Sequence, residues 1–202
     1  MAKKEKELFN EKLAKTLLKI RAIKVGTFES HEGKMTPYFI DLRGLPSFPN
    51  AFSLAIECFE FALREIERDS PFDCFCGVSI NGLMLASTLA YKSRKPLVFP
   101  ASARAPEKGL RGYLNPGARV IVIDDVSETG ISMKSAVLTL RAAGGVVDSA
   151  LTLIDRLESS ARTMNSVGVR LHSFTTIKEL GMALKEKMAM TEEEESAMES
   201  VL

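Results

Sequence analysis

The sequence predicts an α/β protein: a central, mostly parallel twisted sheet flanked by helices, with a small segment ahead of it at the N-terminus. Three observations carry this expectation. Apolar runs of strand character alternate with stretches of helical spacing over most of the chain, the pattern of strand–helix–strand units. One run, Val120-Ile121-Val122-Ile123, is wholly apolar, as a central parallel strand covered on both faces must be. With 202 residues, 46% of them hydrophobic, the chain can bury a real core and suits one domain with appendages.

Taken in order, residues 1–24 read as an amphipathic helix, because Phe9, Leu13, Leu17 and Ile20 recur at helical spacing. Tyr38-Phe39-Ile40 is a short apolar strand. Ala51 to Ile66 has helical spacing through Leu54, Phe59, Phe61 and Leu63. Phe72 to Ile80 reads as a strand, Leu83 to Tyr91 as a helix, and Pro96 to Phe99 as a strand. Residues 100–117, with Pro100, Pro106, Pro116, Gly109, Gly112 and Gly117, form a long loop or hairpin. Arg119 to Ile123 is the central strand. The helix from Ser132 to Ala143 stops at Gly144-Gly145. Val146 to Ile154 is a strand, a short helix follows from Ser159, Val169 to Phe174 is a strand, and Ile177 to Met188 is a helix. The chain divides into an N-terminal helix (1–24), a main domain (25–189) that includes strands near 25–43, and a C-terminal tail (190–202).

Charge and cysteine content exclude several classes. Lys and Arg number 27 against 26 Asp and Glu, a balance that argues against a dedicated nucleic-acid binder. No run of about 18 apolar residues is present, so no membrane span is expected. The charged start Met1-Ala2-Lys3-Lys4-Glu5-Lys6 does not read as a secretory signal. The distribution is uneven: residues 1–24 hold eight basic and three acidic side chains, and residues 191–202 hold five glutamates. The first segment reads as a core-covering helix with a solvated basic face, the alternative being attraction to a nucleic acid or an acidic partner. The tail reads as a frayed or disordered end. Cys58, Cys74 and Cys76 are too few, with His31 and His172 the two histidines, for a zinc site. They read as buried core thiols of a cytoplasmic protein.

The most informative stretch is Val120 to Ser132: an apolar strand, the acids Asp124 and Asp125, then a small polar turn opening a helix. Ligands of open α/β sheets sit beyond the carboxyl ends of strands. A Ser/Thr/Gly turn at a helix start offers backbone N–H groups to a phosphate. Two ionised carboxylates accept hydrogen bonds from hydroxyls. The residues therefore point to a ribose-phosphate site, the alternative being a strand that ends in a solvated turn.

This stretch resembles the phosphoribosyl-pyrophosphate signature of the type I phosphoribosyltransferases. Gly26-Thr27-Phe28 and Gly33-Lys34-Met35-Thr36-Pro37-Tyr38-Phe39-Ile40-Asp41-Leu42-Arg43 resemble the N-terminal motif of orotate phosphoribosyltransferases. Gly77 to Ala86 resembles their pyrophosphate loop and following helix. Leu153 to Glu158 and Gly168 to Ser173 resemble their C-terminal strands. The similarity runs from about residue 24 to about residue 186. It implies the type I phosphoribosyltransferase fold with a small N-terminal hood, and transfer of phosphoribosyl from phosphoribosyl pyrophosphate (PRPP) to orotate in pyrimidine synthesis. It also implies a homodimer and Mg²⁺ held mainly by the diphosphate.

The resemblance assigns roles by position. Asp124 and Asp125 hold the ribose hydroxyls. Val126, Ser127, Glu128, Thr129, Gly130, Ile131 and Ser132 bind the 5′-phosphate, through backbone and the Thr129 and Ser132 hydroxyls. Ser79, Ile80, Asn81 and Gly82 form a backbone turn that meets the pyrophosphate, with Arg111. Arg156 reads the orotate carboxylate, a task suited to its planar fork, the alternative being an ion pair with Glu158. Glu128, His31, Tyr38 and Phe39 border the base; for Tyr38 and Phe39 plain core packing is the alternative.

Four departures stand out. The family's mobile loop carries a lysine pair and a histidine, whereas residues 100–112 offer Arg104, Lys108 and Arg111. Arg104 and Lys108 are the candidates for catalytic charge neutralisation. Each lost charge should cost transition-state stabilisation, by comparison with about 3–4 kcal/mol for one oxyanion donor. Glu128 replaces a threonine that touches orotate, and a carboxylate there repels an anionic base and a 5′-phosphate unless it points away or is protonated. His31 replaces a basic residue, and its charge is conditional near neutral pH. Ser79 replaces a proline. These departures leave two alternatives to the orotate enzyme: transfer to another nucleobase, with Glu128 as general base, or a non-catalytic PRPP-binding sensor.

Overall fold

Strand-forming and helix-forming stretches fall largely where the apolar periodicity puts them. The computed structural model describes residues 2–29, 35–101 and 109–187. In order these form α1 (Ala2–Lys19), β1 (Ile23–Glu29), β2 (Met35–Ile40), a 3-10 turn (Leu45–Ser47), α2 (Pro49–Asp69), β3 (Cys74–Gly77), α3 (Ser79–Ser93) and β4 (Leu97–Pro100). There follow β5 (Leu110–Arg111), β6 (Arg119–Ser127), α4 (Ile131–Ala142), β7 (Val146–Asp155), α5 (Ser160–Asn165), β8 (Arg170–Thr176) and α6 (Ile177–Lys187). The acidic tail, 190–202, lies outside the described residues.

The chain divides into two compact units, one drawn from 1–55 and 175–202, the other spanning Ile56–Phe174. In the first, β1 and β2 pair antiparallel, with Ile23 opposite Ile40 and Lys24 opposite Phe39. Helix α1 buries Leu13, Ala14 and Leu17, the expected apolar stripe. It is tied to α6 by Lys6 Nζ on Glu179 Oε1 at 3.1 Å and by Asn10 Nδ2 donating to the Glu179 carbonyl at 3.2 Å.

The main sheet has the order β5-β4-β3-β6-β7-β8. Strands β3, β4, β6 and β7 run parallel, while β5 pairs antiparallel with β4 at the edge. From β3 the chain first moves outward to β4, then returns to place β6 on the other side of β3. That reversal makes a topological switch point, where crossovers leave in opposite directions and open a crevice at the strand ends. Both faces of the centre are covered. Cys74, Cys76, Val120 and Val122 join Met133, Val137 and Leu140 in one apolar cluster, and the alternate residues Phe75, Ile121 and Ile123 are buried as well. Two-sided burial is why this strand reads as a continuous apolar run. All three cysteines are buried free thiols. Burial pushes Cys74 up to about 11 and Cys76 up to about 12, and raises Cys58 further, which removes thiolate reactivity.

Boundaries differ from the periodicity at several places. The N-terminal helix ends at Lys19 rather than running to residue 24, because Ile23 and Lys24 already pair with Ile40 and Phe39 as strand β1. The apolar stretch from Phe72 to Ile80 holds a strand only over β3, because Gly77 brings the chain against Leu83 and α3 starts at Ser79. The turn expected at Ser79–Gly82 is thus the first turn of α3. Strand β6 continues past Ile123 to Ser127, since its pairing with β7 extends through Asp124–Thr152, Val126–Ile154 and Ser127–Asp155. The acid pair therefore sits on the strand itself. Residues 110–111 add the short edge strand β5 within the loop. Among the described residues no helix is long and apolar enough to cross a membrane.

A Cβ at Gly77 would lie 2.5 Å from Leu83 Cα, a backbone atom that cannot move aside without shifting α3. Gly77→Ala should therefore lower unfolding stability by about 1–3 kcal/mol, as overpacking does. A denaturant midpoint that falls with unchanged slope checks this.

Candidate active site at the carboxyl ends of β3, β6 and β7

The geometry starts with a close approach. A Cβ on Gly82 would lie 2.7 Å from the Ile123 carbonyl oxygen and 2.9 Å from Asp124 Oδ1, so only glycine lets α3 sit against the end of β6. Ser79, at φ 61 in the left-handed region, makes the bend into α3. Its hydroxyl donates to Asp124 Oδ1 at 2.9 Å and accepts the Gly82 N–H at 3.1 Å, as a capping side chain does. A proline, with φ near −65°, cannot take this conformation. Serine at 79 is thus matched to the loop shape found here. Asn81 Nδ2 donates to Asp125 Oδ2 at 2.7 Å. The first turn of α3 therefore grips both acids.

Asp124 is 6% exposed and Asp125 half-buried. Burial first, and then the adjacent Asp125 carboxylate, push the Asp124 carboxyl well above the ordinary range. A site that holds a buried acid next to a second acid favours a ligand bringing hydroxyl donors. Val126 is half-buried, and Ser127 is fully buried with its hydroxyl on Asp155 Oδ1 at 3.0 Å. The outward part of the turn begins at Glu128. Gly130, at φ 75, caps α4; a Cβ there would meet the Ser160 carbonyl at 3.0 Å. Ile131 and Ser132 are exposed in the first turn of α4, where backbone N–H groups lack helical acceptors and suit an anion.

Asp155 is a positioning residue that sequence reasoning left without a role. Its Oδ1 accepts from the Ser127 and Ser160 hydroxyls and from the Leu157 N–H. It thereby holds Leu157 at φ 60, a strained conformation for leucine costing about 1–3 kcal/mol. The available signal was a carboxylate closing an apolar strand, directly before the motif arginine. Arg156, in this bend, donates Nη1 to Glu128 Oε2 at 2.8 Å and pairs Nη2 with Glu158 Oε1 at 2.9 Å. The Arg156 and Glu128 side chains are only 12% and 21% exposed. The ion pair with Glu158, the alternative reading of Arg156, is present, and the Glu128 carboxylate also faces the guanidinium.

The remaining candidates are more scattered. Ile80 is exposed at the start of α3, and Arg111 lies half-buried on β5 opposite Phe99. Tyr38 is buried in the first unit, while Phe39 is exposed there with its ring 5.6 Å from Phe28. His31, Arg104 and Lys108 lie outside the described residues. Among the described residues no group of three or more His, Cys, Asp or Glu side chains is placed to hold a metal ion.

The raised Asp124 carboxyl has a stability consequence. A carboxyl whose folded value exceeds its unfolded one costs stability wherever the unfolded chain would be ionised, and the cost vanishes below the unfolded value of about 3.8. Asp124→Asn should therefore be more stable than the parent at pH 7, with the gain shrinking as pH falls toward that value and gone below it. Denaturant unfolding at pH 7 and pH 3.5 measures it; equal differences at both pH values would contradict the assignment.

No protein-family model matches the chain. Individual relatives do. An orotate phosphoribosyltransferase from Cenarchaeum symbiosum (strain A) is 37% identical over 170 residues, covering 81% of this chain and 83% of that one. The crystal structure of orotate phosphoribosyltransferase from Aeropyrum pernix is similar with a TM-score of 0.76 at 31% identity, over 87% of this chain and 99% of that one. The Leishmania donovani UMP synthase structure matches with a TM-score of 0.81 at 28% identity, over 94% of this chain and 41% of that chain. With an acid pair at a switch point and relatives of this closeness, the chain belongs to the orotate phosphoribosyltransferase family.

Proposed function

We propose that this chain transfers the phosphoribosyl group of PRPP to orotate, giving orotidine 5′-phosphate and pyrophosphate. The observation that carries the reading is a convergence at the carboxyl ends of β6 and β7. There Asp124 and Asp125, the turn from Glu128 to Ser132, and the Arg156 guanidinium come together. Family membership supplies the substrates.

In the reaction the orotate ring nitrogen forms a bond to C1 of the sugar. The bond from C1 to the diphosphate oxygen breaks, diphosphate leaves with the electron pair, and the ring-nitrogen proton passes to solvent. Positive charge develops on the sugar. The chain's part is to position the reactants and offset charge. Asp124 and Asp125 take hydrogen bonds from the ribose hydroxyls. The first turn of α4, with Thr129 and Ser132, holds the 5′-phosphate. The first turn of α3, with Arg111, meets the diphosphate, and Arg104 and Lys108 offset charge on it as it leaves. Arg156 orients orotate through its carboxylate; the resemblance assigns His31, Tyr38 and Phe39 to the base as well.

Mg²⁺ fits the donor set: Asp124 and Asp125 offer hard oxygens, and this ion takes most of its ligands from substrate phosphates and water. When bound it neutralises diphosphate charge. A homodimer and a cytoplasmic location belong to the same proposal. The first rests on the family resemblance as a whole, the second on the three free buried thiols.

Incubation with orotate, PRPP and Mg²⁺, followed by orotate absorbance, tests the proposal; turnover of a purine or uracil in place of orotate, or tight PRPP binding with no turnover, would overturn it. Arg156→Lys keeps the charge but loses the planar fork. It should raise KM for orotate roughly tenfold to a hundredfold, the worth of one charge-assisted hydrogen bond, and leave KM for PRPP nearly unchanged. Equal changes in both would contradict the role given to Arg156.

A further inference from the structure

We infer that Glu128 is a specificity-determining residue of the base site, acting through Arg156 as a built-in competitor for the substrate carboxylate. The inference rests on the reading of orotate as the base, and deepens it. Both terminal nitrogens of Arg156 hold carboxylates, Nη1 that of Glu128 and Nη2 that of Glu158. One guanidinium charge thus faces two carboxylate charges. A base bringing a third carboxylate meets a guanidinium whose charge these two already offset and whose terminal nitrogens they already engage. Glu128 is the inner and more covered of the two, with 21% of its side chain exposed against 31% for Glu158.

The chain, not the ion pair, sets the position of Glu128. Its carbonyl accepts the Ser159 and Ser160 N–H groups at 3.2 and 3.1 Å, and the neighbouring Ser127 carbonyl accepts the Arg156 N–H at 3.0 Å. These backbone bonds lock the two turns together whatever residue 128 carries. Removing its charge therefore leaves the Arg156 backbone in place, with Glu158 still on Nη2, and relieves the competition. A pyrimidine without a carboxylate has no use for the Arg156 fork and gains nothing from the change.

The test is calorimetric titration of orotate and of uracil into the full-length protein saturated with ribose 5-phosphate, which fills the sugar site without reacting. Wild type is compared with Glu128→Gln, and with Glu128→Thr if the first variant does not fold. The expected result is an orotate Kd lowered roughly tenfold, about one charge-assisted hydrogen bond, with uracil binding unchanged. An orotate Kd that is unchanged, raised or too weak to measure in wild type and variant alike overturns the inference, as does a parallel shift for uracil. Formation of orotidine 5′-phosphate by the wild type reports separately on the reaction. Turnover with an unmoved orotate Kd removes the role of Glu128 and keeps the reaction. A tightened Kd without turnover does the reverse.

Discussion

The close approach of α3 to the end of β6 is the constraint on which the site depends. Gly82 sits where any Cβ would strike the Ile123 carbonyl and the Asp124 carboxylate. Because that space is left empty, Ser79 and Asn81 can reach across the switch point and bind one acid each. A helix N-terminus suited to diphosphate and a pair of acids suited to ribose hydroxyls are thereby fixed side by side. The burial that results makes Asp124 an unfavourable place for a lone charge, a cost commonly found where a site is built to meet a polar ligand.

A second set of bonds fixes the other half of the site. Asp155 gathers Ser127, Ser160 and the Leu157 N–H, and so binds the end of β7 to the end of β6. The sharp bend at Leu157 aims Arg156 at the β6–α4 turn, where Glu128 waits with its carboxylate. In the proposed reading, sugar, phosphate and base are served by neighbouring strand ends of one sheet, as a switch point allows. Arg156, the proposed base-recognition group, is engaged by the carboxylates of Glu128 and Glu158, as Asp124 and Asp125 are engaged by Ser79 and Asn81.

Much of this was legible in the residues. The apolar run before Asp124, the Thr-Gly turn and the flanking motifs located the sheet centre, the acid pair and Arg156. The strand ends were less legible, because apolar periodicity does not register where a partner strand stops: Ser127 looks like turn chemistry, yet its pairing with Asp155 makes it strand. Ile80 looks like a strand residue but is exposed in α3, since the bend lies in the Ser79 backbone and leaves no mark on hydropathy. Asp155 went without a role because a hub of hydrogen bonds depends on groups distant in sequence. The direction in which Glu128 points is a side-chain fact, and its repulsion of an anionic base could be reasoned from sequence while its ion pair with Arg156 could not.

The central claim is that the end of β6 is where the sugar phosphate binds. A crystal structure of the protein with PRPP bound tests it most directly. The account predicts the ribose hydroxyls within hydrogen-bond distance of Asp124 and Asp125, the 5′-phosphate against residues 128–132, and the diphosphate at Ser79–Gly82. A sugar phosphate bound elsewhere on the chain, with Asp124 and Asp125 still holding only Ser79 and Asn81, would contradict it.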